Sequence, residues 1–159
     1  MFAFYFQIDV SNTSKVLDDA NVDAAARAIV NGGMLNTGQI CMSTERVIVQ
    51  RGAYKELLSR VTELSKSLKA GNIFNDPSLK LSSLFSEAHA ENFVKSLSRA
   101  KEGGAEVVLG DLSRQGAIVQ PHVLQNVKPG TQLWTSEVFG PGKKIFPQNS
   151  NSTQAFCQS

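Results

Sequence analysis

The chain has 159 residues, of which 42% are hydrophobic and 19% charged. This length suits one compact domain and is too short for two full ones. A net charge of +2 excludes the concentrated basic surface that nucleic acid or an anionic membrane selects. No apolar run approaches the roughly 18 residues that a membrane helix needs. We therefore expect neither nucleic acid nor a membrane as a partner.

Cysteine usage indicates the compartment. The two cysteines, Cys41 and Cys157, are too few for the disulfide framework of a small secreted domain. The hydrophobic residues 1–6 lack the basic N-terminal region of a signal peptide and are shorter than its apolar core, so we predict no targeting signal there. A reducing, cytoplasmic location is the expectation.

Helical periodicity predicts three helices, with Asp19 or Asn21 capping the first, Gly71 ending the second and Ser86 capping the third. Their expected spans are about residues 18–35, 54–68 and 86–103. The second and third helices each present a continuous apolar face at helical spacing. Such faces are typical of helices that pack on a sheet.

Short runs rich in β-branched residues predict strands at 46–50, 105–109 and 117–124, with Pro121 at an edge or a strand end. Helices that alternate with such strands indicate an α/β domain, with helices layered on a largely parallel sheet. The polar, aperiodic residues 147–159 are expected to be disordered or frayed.

Cys41 is the first candidate for chemistry, because it lies in a loop, 36–41, and a thiolate is a strong nucleophile. A free thiol with a pKa of about 8.5 is only a few per cent ionised at neutral pH. The end of the preceding helix opposes ionisation, so activation has to come from elsewhere in the fold. Taken alone, a lone cysteine is more often a small buried apolar residue.

Other constellations are weaker. His89 and His122 have no second ligand at a metal-binding spacing, so no metal site is predicted. His89 is expected on a solvated helix face. No Gly-rich nucleotide fingerprint follows a strand, and Gly140-Pro141-Gly142 lacks the spacing and the Lys of a phosphate-binding loop.

Two segments carry a family resemblance when they are taken together. NTGQICMSTER at 36–46 resembles the cysteine active-site signature of the NAD(P)-dependent aldehyde dehydrogenases, and EVFGP at 137–141 resembles their cofactor-side motif. Further matches occur in the family's order: VLDDANVDAA, SEAHAENF and GAIVQPHVLQNVKPG. The resemblance covers about residues 15–142. Its wording is closest to the branch that includes vanillin, benzaldehyde and salicylaldehyde dehydrogenases.

The resemblance implies roles for particular residues. Cys41 matches the nucleophile that attacks the aldehyde, and its own backbone N–H would help to hold the oxyanion. Glu137 matches the carboxylate that accepts hydrogen bonds from the nicotinamide-side ribose, and Phe139 matches the aromatic residue packed beside that ribose. Arg46 corresponds to a position that holds the loop. The implied cofactor is NAD or NADP, and the implied substrate is a small aldehyde of an aromatic kind.

Departures from the family pattern predict a partial catalytic domain: a divergent N-terminal segment at 1–14, a catalytic-domain fragment at 15–142 and a divergent polar tail at 143–159. A count without gaps places Gln7 where the family has its general-base Glu, and an amide cannot act as a base. The family is homo-oligomeric, and its oligomerisation strand has no counterpart here. The family's N-terminal cofactor domain also has no counterpart here, so we expect most of the implied cofactor site to be absent. Because both the cofactor domain and the general-base Glu are missing from the pattern, we expect the isolated chain to be inactive.

Two alternatives belong to other functional classes. One is a non-catalytic interaction module that pairs with full-length homologues through exposed edges. The other is a thiol-dependent hydrolase that uses Cys41, although no base within hydrogen-bond reach is evident.

Overall fold

A computed structural model describes residues 5–7 and 12–148. Six strands of these residues form one sheet in the order β1-β2-β3-β6-β5-β4. The strands are β1 (Tyr5–Gln7), β2 (Thr13–Val16), β3 (Arg46–Gln50), β4 (Glu106–Leu109), β5 (His122–Gln125) and β6 (Gly142–Gln148). The four inner strands pair in parallel, while β1 and β4 pair antiparallel at the two edges. The expected α/β fold with a largely parallel sheet is confirmed.

Helices cover both faces of the sheet. They are α1 (Val22–Met34), α2 (Arg51–Lys66), α3 (Glu87–Glu102) and the short α4 (Gln132–Thr135). The apolar faces of α1 and α2 share one core cluster with residues of β2, β3 and β6. A second cluster joins α3, α4 and β5 on the opposite face. The result is the three-layer arrangement that buries a parallel sheet on both sides.

The predicted caps of the first and third helices are confirmed. The Asn21 side chain accepts a hydrogen bond of 3.0 Å from the Ala24 amide, and Ser86 accepts one of 3.1 Å from the His89 amide. Helix α2 ends at Lys66, earlier than the predicted stop at Gly71. The chain leaves the helix there because the amide and carbonyl of Ala70 both bond to the side chain of Gln120.

The strand at 46–50 is confirmed, but the strand predicted at 117–124 begins only at His122. Residues before it form a tight turn, in which the amides and carbonyls of Gln115 and Ile118 bond to each other at 2.9 Å. Pro121 then precedes the first paired residue, as expected of a residue that has no N–H to donate.

The prediction for the C-terminal part of the chain was wrong in one respect. Residues 147–148, expected to be disordered or frayed, belong to the central strand β6. This strand also contains residues 143–146 of the predicted polar tail, and Lys143 and Lys144 are buried in it. Two adjacent lysines hide the strand in the sequence, since local patterning gives charged residues to the surface. The rest of that tail, 149–159 with Cys157, lies outside the described residues.

Strand β2, which pairs in parallel with β3, was not predicted from the sequence.

Among the described residues, no helix is long and apolar enough to cross a membrane.

Candidate active site

The two motif segments meet at the end of the sheet where the central strands β3 and β6 begin. Cys41 lies just before β3, and residues 137–141 lie just before β6. Strands β3 and β6 are parallel neighbours, with Arg46 paired to Lys144. Two segments that enter adjacent parallel strands necessarily reach the same end of the sheet. The strand order therefore places the cysteine loop beside the EVFGP segment.

Cys41 lies on a tight turn, where the Ser43 amide donates a 2.8 Å hydrogen bond to the Ile40 carbonyl. The side-chain amide of Asn12 donates to the Cys41 carbonyl and fixes the backbone from below. The Cys41 residue itself is exposed. Its thiol can therefore be reached from solvent. A lone cysteine is more often a buried apolar residue, and Cys41 is not one of these.

The base of the cysteine loop is anchored on residues 82–85. Thr37 Oγ1 accepts a 3.0 Å hydrogen bond from the Ser82 amide, and Gln39 Oε1 accepts one of 2.9 Å from the Phe85 amide. These contacts hold a backbone in which Asn36 and Thr37 have φ values of 50° and 59°. Each such residue costs on the order of 1 kcal/mol or more, so the loop conformation depends on its anchors.

Three contacts fix the EVFGP segment against its surroundings. The Gly140 amide donates to the Gly38 carbonyl at 3.2 Å. The His89 ring hydrogen-bonds to the Phe139 carbonyl through Nε2. The Phe93 ring lies so close to Gly140 that a Cβ on that glycine would come within 2.4 Å of it. Gly140 is thus required for the close approach of α3 to this segment.

The expectation that His89 lies on a solvated helix face was wrong. The residue is half-buried, and its ring stacks on Phe85 with centroids 4.4 Å apart. Both the loop anchor at Phe85 and the Phe139 carbonyl therefore meet at this one side chain. The sequence carried no local signal for it, because Phe139 is 50 residues away.

Glu45, near the end of the cysteine segment, connects that segment to the EVFGP segment. Its Oε1 accepts a 2.8 Å hydrogen bond from the Val138 amide, and its Oε2 pairs with Lys144 Nζ at 3.0 Å. Lys144 Nζ also donates to the Leu133 carbonyl at 2.8 Å. Sequence reasoning missed this ion pair, whose members lie 99 positions apart. Burial lowers the pKa of the Lys144 ammonium, and Glu45 opposes that change.

Glu137 is exposed at the surface of the segment, and Phe139 is half-buried. Partial desolvation raises the pKa of the Glu137 carboxyl above its ordinary value. The negative charge of Glu45 adds to this rise, while Lys144 counteracts it.

Arg46 contacts the residues that lead into the EVFGP segment. Its Nη2 donates a 2.9 Å hydrogen bond to the Trp134 carbonyl, and its guanidinium lies 5.3 Å from the centre of the Trp134 ring. This is cation–π geometry. Trp134 also packs edge-on against Phe146.

The second histidine, His122, is a buried structural residue at the start of β5. Its Nδ1 lies 2.7 Å from the Gln120 carbonyl, and its Nε2 accepts a 3.1 Å hydrogen bond from the Leu112 amide. This pattern fixes the neutral tautomer with the proton on Nδ1. Burial lowers the pKa of the ring. In the part of the chain that the structure describes, no three His, Cys, Asp or Glu side chains cluster as metal ligands.

The fold and the two joined segments define an α/β domain with an accessible thiol at one end of its central strands. The sequence model of the aldehyde dehydrogenase family matches residues 4–154, nearly the whole chain. The chain therefore belongs to the aldehyde dehydrogenase family of oxidoreductases.

Individual relatives agree with this assignment. The chain is 38% identical over 126 residues to a salicylaldehyde dehydrogenase of Pseudomonas sp. (strain C18), a match that covers 79% of this chain and 26% of that protein. It is 30% identical over 148 residues to the 2-aminomuconic semialdehyde dehydrogenase of Mus musculus, covering 87% of this chain and 30% of that protein. The chain thus spans less than a third of these relatives' length.

Solved structures share the fold. The lactaldehyde dehydrogenase of Escherichia coli aligns with a TM-score of 0.81 at 30% identity, covering 86% of this chain and 29% of that one. An NAD-dependent benzaldehyde dehydrogenase from Corynebacterium glutamicum aligns with a TM-score of 0.76 at 31% identity, covering 86% of this chain and 29% of that one.

Proposed function

We propose that this chain carries the nucleophile and the nicotinamide-ribose contacts of an NAD(P)-dependent aldehyde dehydrogenase. Cys41 is the nucleophile, and Glu137 and Phe139 hold the ribose. The observation that carries the proposal is the direct bond between the two segments: the loop of the exposed Cys41 is tied at Gly38 to Gly140, next to Phe139. A reducing, cytoplasmic setting suits such a free thiol.

The chemistry begins when the Cys41 thiolate adds to the aldehyde carbon. A C–S bond forms, the carbonyl π bond breaks, and the oxygen becomes an oxyanion that a backbone N–H on the Cys41 turn can stabilise. Glu137 and Phe139 would hold the ribose of a nicotinamide cofactor, which would supply the acceptor for the hydride of this carbon. Loss of that hydride would leave a thioester on Cys41, and attack by water would release the carboxylic acid and restore the thiol.

The residues present fit the ribose of such a cofactor. The exposed Glu137 carboxylate is an acceptor with two oxygens, as a pair of neighbouring hydroxyls requires. The half-buried Phe139 offers an apolar surface beside it, and its backbone is held by the His89 ring. Ionised Glu137 accepts better than the neutral acid, so the raised pKa of this carboxyl predicts weaker ribose binding at acidic pH.

For release of the acid, we propose that the chain supplies no general base. Gln7, in β1, occupies the family's general-base position by a count without gaps, and an amide cannot remove a proton from water. The isolated chain is therefore proposed to add an aldehyde at Cys41, as a thiohemiacetal, without turning over.

The substrate class proposed is an aromatic aldehyde. Support comes from the branch wording of the Cys41 loop and from relatives named as salicylaldehyde and benzaldehyde dehydrogenases.

The test is an absorbance assay for reduced nicotinamide with the purified chain, using benzaldehyde and a short aliphatic aldehyde, each beside Cys41→Ala. We expect no sustained turnover and, in a Cys157→Ser background, covalent labelling by an aldehyde-mimicking electrophile that Cys41→Ala abolishes. Equal labelling of wild type and Cys41→Ala would contradict the proposed nucleophile. Cysteine-dependent turnover would contradict the proposed inactivity and leave the nucleophile in place.

A second candidate function is a non-catalytic module that pairs with a full-length homologue. Large exposed apolar side chains next to the cysteine loop favour it: Phe85 is 75% exposed, Leu35 is 65% exposed and Met42 is 61% exposed. Co-purification of the tagged chain with a full-length aldehyde dehydrogenase would support this function. A monomeric chain that a homologue does not retain would argue against it.

A further inference from the structure

Glu45 and Lys144 form an ion pair inside the protein, at the point where the cysteine loop enters β3 and the EVFGP segment enters β6. The two side chains are only 4% and 3% exposed. The backbones are joined as well, because the Lys144 amide donates a 2.9 Å hydrogen bond to the Glu45 carbonyl. The pair thus sits at the junction of both motif segments.

The ion pair adds little to the free energy of unfolding at these buried positions. Desolvation of two charges offsets most of their attraction, and apolar replacements of similar size are often neutral or stabilising. What an apolar pair cannot do is accept a hydrogen bond. Oε1 of Glu45 accepts the Val138 amide at 2.8 Å, while Lys144 engages the other oxygen. The carboxylate is therefore held by the lysine in the orientation that receives Val138.

Val138 lies between the two residues proposed to hold the cofactor ribose. Residues 137–139 have no regular secondary structure, so side-chain contacts must fix their path. The Phe139 side of this stretch is fixed by His89 and by the bond between Gly140 and Gly38. The bond from Val138 to Glu45 is the contact next to Glu137.

We infer that Glu45 is a positioning residue: with its orientation set by Lys144, it holds the Val138 amide and so fixes Glu137 and Phe139 relative to Cys41. This inference rests on the proposed function for the meaning of that geometry. Glu45 touches neither substrate nor cofactor in this role. It acts through the backbone of the segment that does.

The test compares two double variants that both lack the buried charges. Glu45→Gln with Lys144→Met keeps an acceptor for the Val138 amide, whereas Glu45→Met with Lys144→Met removes it. Neither leaves the other member of the ion pair as an unpaired buried charge, so both are designed to fold, and Glu56→Gln on the exposed face of α2 is the control. All are made in a Cys157→Ser background, with a nitroxide spin label on the exposed Cys41.

The readout is the paramagnetic broadening of backbone amides by the label, together with amide hydrogen exchange at Val138. In the Met/Met variant we expect exchange at Val138 to be about tenfold faster, the loss of one hydrogen bond of about 1.4 kcal/mol. Broadening at residues 137–139 should shift while that of the β5 amides stays constant. The Gln/Met variant keeps the acceptor and loses the lysine that orients it, so its effects should be smaller than those of the Met/Met variant.

Unchanged broadening at 137–139 in the Met/Met variant would overturn the inference. So would equal effects in both double variants, since the acceptor would then be irrelevant. A separate titration with NADH, followed by nicotinamide fluorescence, tests the proposed function. Failure of wild type to bind NADH would count against that function, while the broadening data still decide whether Glu45 positions the segment.

Discussion

The Gly140 amide donates a hydrogen bond of 3.2 Å to the Gly38 carbonyl, which joins the cysteine loop directly to the EVFGP segment. The approach is possible because Gly38 has no side chain: a Cβ there would lie 2.2 Å from the Gly140 oxygen. Gly38 also has a φ of +73°, a conformation that glycine adopts without strain. One residue thus supplies both the turn and the contact.

Substitution of Gly38 by Ala is expected to separate the two segments. The positive φ alone costs an L-residue about 1–2 kcal/mol, and the clash with backbone adds to it. Gly130→Ala is the matched control, because Gly130 has a φ of +83° and no atom within 4 Å of its would-be Cβ. Urea unfolding should show a larger loss of stability for Gly38→Ala. Equal losses would mean that the contact with Gly140 contributes nothing.

Lys143 predicts an unusual dependence of stability on pH. It is fully buried, its Nζ donates to the Gly142 carbonyl at 3.1 Å, and burial lowers its pKa from 10.5 to about 7. Below the folded pKa both states are charged and the full cost of burial is present. Between about pH 7 and the unfolded value the unfolded state binds more protons, so stability rises with pH.

Lys143→Met removes this charge and keeps the length of the side chain, so the variant should be more stable than wild type at about pH 7. One pKa unit corresponds to about 1.4 kcal/mol, which makes a gain of a few kcal/mol the expected scale. The difference in stability should shrink as the pH is raised toward the pKa of an ordinary lysine. Urea titrations of both proteins across this range, with the exposed Lys80→Met as control, measure it. A gap independent of pH would refute the burial of a titrating amine.

Arg46→Lys tests the contact with Trp134. A lysine lacks the planar guanidinium that both covers the ring and donates to the Trp134 carbonyl. We expect a loss of about 1 kcal/mol in unfolding free energy. Trp134 is the sole tryptophan of the sequence, so a shift of its emission should report the change. Arg51→Lys, at an exposed position, should leave the emission unaltered.

His122 is expected to lower stability in mild acid. Burial lowers its pKa, so below the ordinary value of about 6.5 the unfolded state takes up a proton that the folded state resists. Stability from the neutral ring is present above that pH and is lost as the pH falls through the folded pKa. His122→Gln should unfold with a flatter pH dependence between about pH 7 and 5. Parallel profiles for the two proteins would assign the acid loss to other groups.

The sequence by itself determined the elements whose signal is local. Helix α3 begins at its Ser86 cap, and strand β3 follows its β-branched run, because capping and side-chain shape act within a few residues. The two motifs could be recognised in the sequence for the same reason, because each is a continuous run of residues. They carried the family assignment before any contact between them was known.

Only the tertiary structure decided how those strings meet. The parallel pairing of β3 with β6 brings Cys41 and the EVFGP segment to the same end of the sheet, and no local pattern encodes this strand pairing. Strand β6 itself was hidden, because its two lysines are charged residues in a buried strand. Their environment is set by partners far along the chain: Glu45 for Lys144, and the space beside Gly33 for Lys143. A buried charge is tolerated according to what folding places around it, and a sequence window around the lysine does not contain that information.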